Sequence, residues 1–379
     1  MDVSLQKFLG DHMGIGVGIT TDPVDSAPYL KGVANYTRNI VLALHDLKYP
    51  IVLFHYKRHN DHIYNLGYPE IILKASGTLS KFLVNANNNI QFDLLHITFP
   101  DTFYLPLFTK NINKVLTIHD LLNVYFPPHY KHLRARITNP KAWLQQLIIT
   151  RAFPKIIEKT DALITTSNFL SNELKKYFNI PEDKLFTVYE GVDHSTFKPL
   201  NLPEPDPPFI LSESPFPELI KAYYKLVNKY NIRHNLLIFS RRGYGREAMQ
   251  LVNKLGLHNK VKFLGYVPTD QLVRLYNQAS VFIRLDEYDG FNLPTLEAMA
   301  CGCPVIVHNI DAAPEFFSDC AILVKPFDID ELTSAIYKVL TDTNLMSDMI
   351  SSGIKKSKEF SWHNTAQELI KVYDEVMYS

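Results

Sequence analysis

The chain contains 379 residues, which is long enough for two or more domains that each bury a hydrophobic core. Its 39 lysine and arginine residues balance 39 aspartate and glutamate residues, so the formal charge is zero and bulk charge implies no nucleic-acid partner. With 46% hydrophobic and 21% charged residues, the composition is that of a folded globular protein and excludes a disordered chain.

The cysteines and the apolar runs limit the cellular context. Three cysteines, an odd number, indicate buried thiols in a reducing compartment. Cys301 and Cys303 lack a second cysteine pair at zinc-ligand spacing, so we predict no metal site. No apolar run reaches membrane-spanning length, and residues 1–14 lack the features of a secretory signal, so we expect a cytoplasmic protein.

Short apolar runs of strand type alternate with helix patterns along the first half of the chain. The strand-type runs lie at residues 14–19, 51–56, 93–98, 114–121 and 162–167. The glycines of the first run are spaced G-x-G-x-G inside a strand, which argues against a dinucleotide-binding fingerprint. Gly32 lies at the start of an amphipathic helix that extends to Leu47.

A proline-rich segment at residues 201–208 is the natural domain boundary. We therefore predict a first domain at residues 1–203, a second at residues 204–360 and a terminal helix at residues 361–379. Beyond the boundary, strand-type runs again alternate with helix patterns, at residues 209–211, 236–240, 261–267, 280–285 and 305–307. This alternation predicts an α/β protein with two Rossmann-like, doubly wound domains that face a cleft.

The functional prediction depends on residues 286–307. Asp289 and Glu297 flank a tight turn that leads into Pro294, a residue favoured at the start of a helix. In a strand–turn–helix unit of a parallel sheet, free amides and the helix dipole attract an anion in front of the helix. A phosphate at the amides, with carboxylates on neighbouring hydroxyls, describes a sugar nucleotide. From spacing alone, two ordinary helix-start acids are an equal alternative.

Several segments resemble one enzyme family. Residues 289–297 resemble the E-G-F-G-L-P-x-x-E signature of the family four retaining glycosyltransferases, with Asp289 in place of Glu and Asn292 in place of Gly. The T-x-H-D-L pattern around His119 is similar, and Gly32 matches the first glycine of the family's G-I-G-R-Y-T loop. Glu190 stands where the family's V-x-N-G-V-D segment usually has Asn.

The resemblance implies the GT-B fold and a retaining transfer of a hexose from a nucleotide diphosphate sugar to a hydroxyl of a glycan or lipid-linked sugar. It implies no cofactor and no obligatory metal. His119 and Asp289 would be catalytic, at the outer edge and the hydroxyls of the donor sugar, and Glu297 would hold the ribose. The remaining donor-binding residues would be Gly32, Gly290, Phe291, Asn292, Leu293 and Tyr266, whose segment resembles the one that reads the base.

One departure from the family concerns the diphosphate. Family members usually carry Arg and Lys after the first strand of the second domain, but residues 211–219 are shortened and acidic here, with Glu213. We predict that Arg241 or Arg242, which follow the next strand, partly replaces the missing cations. The alternatives are that both are surface arginines, or that the chain is a catalytically weak GT-B binding subunit that needs a partner.

Residues 130–159 are basic and aromatic. The first interpretation is a solvated helix face. The second is peripheral contact with an anionic membrane, because family members that use lipid-linked acceptors often carry such a face in the first domain.

Overall fold

The computed structural model describes residues 16–21, 32–55, 61–72, 92–98, 112–121, 150–240, 245–286, 288 and 290–378. The chain divides into two compact units, one of residues 1–190 with 362–379 and one of residues 191–361. The sequence predicts a boundary after residue 203, and this division assigns residues 191–203 to the second unit. There the Leu200 amide donates to Oδ1 of Asn277 at 2.6 Å, and Asn277 donates to the Lys198 carbonyl at 3.1 Å.

The first unit contains a parallel sheet. Its described strands are β1 (Val17–Thr20), β2 (Ile51–His55), β3 (Glu70–Ile72), β4 (Leu94–Ile97), β5 (Asn113–Ile118), β6 (Ala162–Thr165) and β7 (Leu185–Thr187). They lie in the order β3-β2-β1-β4-β5-β6-β7, and all their pairings are parallel. Helices α1 (Gly32–Asp46) and α2 (Asn168–Phe178) belong to the same unit.

The central strands of this sheet, β1, β2, β4 and β6, are buried on both faces, as their continuous apolar sequences predict. Ile19, Leu53 and Ile97 are fully buried. Gly18 shows how tightly the sheet is covered, because a Cβ atom added there would lie 2.6 Å from the Phe54 ring. Packing of the Phe54 side chain against the strand therefore explains the glycine at position 18, the last of the G-x-G-x-G pattern.

The second unit has the same architecture. Its strands are β8 (Phe209–Ser212), β9 (Asn235–Phe239), β10 (Val261–Gly265), β11 (Val281–Arg284), β12 (Val305–His308) and β13 (Ile322–Val324), in the order β10-β9-β8-β11-β12-β13. Its helices are α3 (Pro217–Tyr230), α4 (Gly245–Lys254), α5 (Thr269–Gln278), α6 (Leu293–Ala300), α7 (Ala313–Phe317), α8 (Ile329–Thr341) and α9 (Thr343–Ser357). The predicted α/β class with two doubly wound, Rossmann-like units is confirmed.

The last helix, α10 (Trp362–Tyr378), belongs to the first unit. Ala366 and Leu369 on this helix are fully buried. The Tyr373 hydroxyl lies 2.6 Å from Nδ1 of His96, and the Thr365 hydroxyl donates to the Tyr189 carbonyl at 2.8 Å.

The basic segment at residues 130–159 is described only from residue 150 onward. Residues 150–158 are helical, with Phe153 and Ile156 buried and Arg151 and Lys155 exposed. Among the residues described, no helix is long and apolar enough to cross a membrane.

Candidate functional site

Each sheet has a point where the strand order changes direction, and ligands of doubly wound folds bind beyond the carboxyl ends of the strands at that point. In the second unit the change falls between β8 and β11. Glu213 directly follows β8, and Arg284 is the last residue of β11. In the first unit the change falls between β1 and β4, where the Thr20 and Thr98 hydroxyls are 3.3 Å apart.

Helix α6 begins at a capped turn. Asn292 has φ 68° and ψ 55°, a left-handed conformation, and its Oδ1 accepts hydrogen bonds from the Thr295 amide at 3.3 Å and the Thr295 hydroxyl at 2.7 Å. This geometry explains why Asn replaces the Gly of the family signature. Asparagine tolerates a positive φ better than most side chains, and it also provides the cap that glycine lacks.

Glu297 lies one turn into α6 and is only 6% exposed. Burial, together with the negative charge of Glu297, raises the pKa of the neighbouring Cys301 thiol to about 12. Because water hardly reaches a carboxylate this buried, its charge must be stabilised by hydrogen-bond donors, and the hydroxyl groups of a ligand can serve as such donors.

Phe291 and Leu293 of the predicted signature have buried side chains that pack inside the protein. Phe291 is 4% exposed, and its ring centroid lies 4.8 Å from that of Phe316 and 5.5 Å from that of Phe360. Leu293 is also buried. These two residues would therefore contact a ligand through the backbone, together with Gly290, which forms a bend in front of the helix.

An ion-pair cluster lies at the carboxyl ends of β8 and β11. The Arg284 guanidinium pairs through Nη1 with Oε2 of Glu213, and its Nε lies 2.5 Å from Oδ2 of Asp286. The side chains of Arg284 and Glu213 are each 17% exposed. Next to them, Nδ1 of His308 lies 3.0 Å from the Asp286 carbonyl oxygen.

In the first unit, His119 follows β5 and is 10% exposed at its side chain. Its Nδ1 lies 3.1 Å from Oε1 of Glu190, and its Nε2 lies 3.2 Å from the Thr98 carbonyl oxygen. The Tyr36 ring meets the imidazole edge-on at 4.6 Å. Both ring nitrogens of His119 therefore face acceptor groups of the protein.

A second histidine lies deeper in the same unit. His96 is fully buried, with Nδ1 2.6 Å from the Tyr373 hydroxyl and Nε2 2.7 Å from the Thr117 hydroxyl. Burial, and to a smaller degree the charge of His119, lowers the pKa of His96 to about 3. His96 is therefore a neutral histidine held between two hydroxyl groups.

Comparison with known proteins agrees with this geometry. The family model described as "Glycosyltransferase Family 4" matches residues 30–196, and the model described as "Glycosyl transferases group 1" matches residues 212–356. This chain belongs to the family 4 glycosyltransferases.

Two curated relatives are similar to most of this glycosyltransferase. O-antigen chain mannosyltransferase B of Escherichia coli is 27% identical over 288 residues, which cover 72% of each chain. O-antigen chain mannosyltransferase RfbU of Salmonella typhimurium is 24% identical over 358 residues, which cover 86% of this chain and 96% of the relative.

Solved structures establish the fold of the glycosyltransferase as GT-B. Sucrose-phosphate synthase from Thermosynechococcus elongatus superposes with a TM-score of 0.76 at 19% identity, over 96% of this chain and 99% of the other. The Anabaena protein HepE, in complex with UDP and glucose, superposes with a TM-score of 0.71 at 14% identity, over 95% and 100%.

The remaining predicted site residues of the glycosyltransferase are either outside the described residues or exposed. Asp289, Arg241 and Arg242 lie outside the described residues. Tyr266 follows β10 and is 43% exposed. Gly32 is the exposed first residue of α1, and a Cβ atom added there meets nothing within 4 Å among the residues described.

The cysteines of the glycosyltransferase are buried free thiols, as the sequence predicts. Burial raises the pKa of Cys303 and Cys320 as well as that of Cys301. In the part of the chain that the structure describes, no group of three or more His, Cys, Asp or Glu side chains could hold a metal ion.

Two residues of the site were not assigned from the sequence. The sequence marks Glu190 only as a departure from the family's Asn, although a carboxylate directly beyond a strand-type run is a signal for a site residue. Arg284 carried no signal, because a cation at the end of an apolar strand is ordinary until its partner on another strand is known.

Proposed function

We propose that this glycosyltransferase transfers a hexose, with retention of configuration, from a nucleotide diphosphate sugar to a hydroxyl of a glycan or lipid-linked sugar. One observation carries this assignment. The buried carboxylate of Glu297 lies one turn inside a helix whose first turn is capped by Asn292 at the switch point of the sheet. A diphosphate at the amides and a ribose at the carboxylate fit this combination of groups.

Bond cleavage makes two demands on such a site. Departure of the nucleoside diphosphate leaves an oxocarbenium-like sugar, so negative charge must be stabilised on the leaving group and positive charge on the sugar. The amides of Asn292 and Leu293 would serve the phosphates. Glu297 would bind the ribose, Asp289 the sugar hydroxyls, and His119 the outer edge of the sugar.

Mannose is the donor sugar that the relatives support, since both are named O-antigen chain mannosyltransferases. The UDP and glucose in the HepE complex support a nucleoside diphosphate donor. The base that this chain selects is open to direct measurement. We further propose that no metal is obligatory, so turnover should survive excess EDTA and should not increase when magnesium or manganese is restored.

A donor panel tests the function. Mannose and glucose donors carrying guanosine or uridine diphosphate are incubated with acceptor sugars, and released nucleoside diphosphate and transferred sugar are measured together. We expect one donor to give stoichiometric release and transfer, and an α-configured donor to give an α-linked product by proton NMR. A β-linked product would refute retention, and release without transfer would indicate hydrolysis only.

One observation favours a second candidate, a binding subunit with weak catalysis. Glu213 occupies the position where family members carry a cation for the leaving group, and its negative charge is balanced within the protein by Arg284. A binding subunit would show donor affinity without turnover, and it would gain turnover only when a partner protein is added.

A further inference from the structure

The contact between His119 and Thr98 fixes one proton. Nε2 of His119 lies 3.2 Å from the Thr98 carbonyl oxygen, and a carbonyl can only accept a hydrogen bond. Nε2 must therefore carry a hydrogen and donate it. The distance lies at the upper end of the range for an ordinary N–H···O hydrogen bond.

The contact on the other side of the ring requires a second proton. Nδ1 of His119 lies 3.1 Å from Oε1 of Glu190. A bare nitrogen facing an ionised carboxylate would bring two lone pairs together, which is repulsive, so a hydrogen must lie between them. A neutral imidazole has only one N–H group, and Nε2 already carries it.

The surroundings favour this additional proton. The side chains of His119 and Glu190 are 10% and 8% exposed, so water screens their attraction weakly. From α1, Tyr36 is un-ionised, because burial raises the pKa of its phenol, and from β4 His96 is neutral. Asp120, the next residue in the chain, is a further titratable group adjacent to His119 in sequence.

We infer that His119 and Glu190 form an imidazolium–carboxylate pair, in which Glu190 is a positioning residue that keeps both ring nitrogens of His119 protonated and directed at fixed acceptors. The pair is neutral overall. His119 then acts on a bound sugar through its positive charge and ring edge, and it has no lone pair with which to accept a proton. The inferred charge state does not depend on the proposed function. Only its expected effect on turnover rests on that function.

Nitrogen NMR tests the charge state directly. The full chain is labelled with ¹⁵N-histidine, and the His119 signals are identified by their loss in His119→Gln. At about pH 7 we expect both ring nitrogens of His119 to show the chemical shifts of protonated nitrogens. One protonated and one bare nitrogen in the wild-type chain would overturn the inference, and this result needs no variant of Glu190 to fold.

The variant Glu190→Gln tests whether the charge of the Glu190 carboxylate keeps His119 protonated. Its amide can donate to a bare Nδ1, so we expect a neutral ring with its single proton on Nε2. Unchanged His119 signals in this variant would also overturn the inference. Glu70→Gln is a matched control, because Glu70 also contacts a histidine of the first unit, 3.3 Å from Nε2 of His55, and should leave the His119 signals in place.

Turnover provides the second measurement. With the donor found in the panel, Glu190→Gln should lower kcat about tenfold near pH 8 with little change in donor KM, because His119 has lost its charge but not its place. A kcat equal to wild type across the pH range would contradict the link to turnover. If the wild-type chain transfers no sugar, the proposed function fails, and the NMR measurement still decides the charge state.

Discussion

Arg284 pairs with Glu213 across the two strands at which the sheet of the second unit changes direction. Glu213 lies in the segment where the family resemblance leads one to expect a cation, and its negative charge is paired with an arginine on the neighbouring strand. The two side chains are equally shielded from water, so their attraction is only partly screened. Without Arg284, the negative charge of Glu213 would act on any anion bound at this edge.

A double-mutant cycle tests this balance. We expect Arg284→Met to weaken nucleoside diphosphate binding by about 1–3 kcal/mol while binding of the bare nucleoside changes little. Glu213→Gln in the same chain should restore part of the loss, because it removes one of the two carboxylates that pair with Arg284, while Asp286 remains. Calorimetry with both ligands provides the measurement. Arg274→Met, on the exposed side of α5, is the matched control. An equal loss for nucleoside and diphosphate would contradict the prediction.

Glu297 should contribute to nucleotide affinity. We expect Glu297→Gln to weaken binding of the nucleoside and of its diphosphate alike by about 1–3 kcal/mol, through loss of a charge-assisted hydrogen bond to the ribose. Glu247→Gln, an exposed acid in the first turn of α4, is the control. Unchanged affinity in a folded Glu297→Gln protein would remove this carboxylate from the site.

His119 belongs to the first unit, and the helix that carries Glu297 belongs to the second. We therefore expect His119→Ala to lower turnover far more than it lowers nucleotide affinity. Steady-state kinetics and calorimetry on the same preparation separate the two effects. A collapse of nucleotide affinity with normal turnover at saturation would show that His119 lies at the nucleotide instead.

Two substitutions of Asn292 distinguish the stability cost of backbone strain from the cost of losing the helix cap. Asn292→Ala loses the cap and places a Cβ residue without a compensating side chain at φ 68°, which should cost about 1–3 kcal/mol of unfolding free energy. Asn292→Gly loses the cap but relieves the strain, so its cost should stay within a few tenths to about 1 kcal/mol. Chemical denaturation of the two variants provides the comparison, and equal costs would show that the left-handed conformation contributes nothing.

Because His96 is buried and neutral, we expect the free energy of unfolding to fall at acid pH. Its folded-state pKa of about 3 lies below the value of the unfolded chain, so the unfolded chain binds more protons between those two values. Stability from this group is complete above about pH 6.5 and is lost as pH falls, by about 2 kcal/mol at pH 5. We expect His96→Gln to reduce the difference in unfolding free energy between pH 7.5 and pH 5, whereas exposed His363→Gln should not. An unchanged difference would contradict the assignment.

Local sequence patterns predicted the architecture but not its long-range pairings. Alternating apolar runs located most strands of both sheets, because parallel strands buried on both faces leave a strong signal. The strands Glu70–Ile72, Leu185–Thr187 and Ile322–Val324 were not predicted, because each contains only three residues. The contact of His96 with Tyr373 joins residues 277 positions apart, and no local pattern carries such information.

The predicted site residues had the same limit. Helix α6 could be predicted because its turn, proline and acid are close together in the chain. The pairing of Arg284 with Glu213 could not, because the charges lie 71 positions apart on strands whose adjacency only the sheet order reveals. The role of Asn292 was likewise hidden, because a left-handed φ is a backbone property that the sequence implies only weakly.

The position of α10 has a consequence for biosynthesis. The first unit needs this helix, since Leu369 and Tyr373 are fully buried in it and Asn113 donates to the Val376 carbonyl at 3.1 Å. The ribosome makes residues 191–361 between the two parts, and Val192 forms a bridge with Ser361, so the inserted unit closes on itself. The unit synthesised second is therefore complete first. The first unit cannot complete its fold, and part of its apolar surface stays uncovered, until α10 has been synthesised.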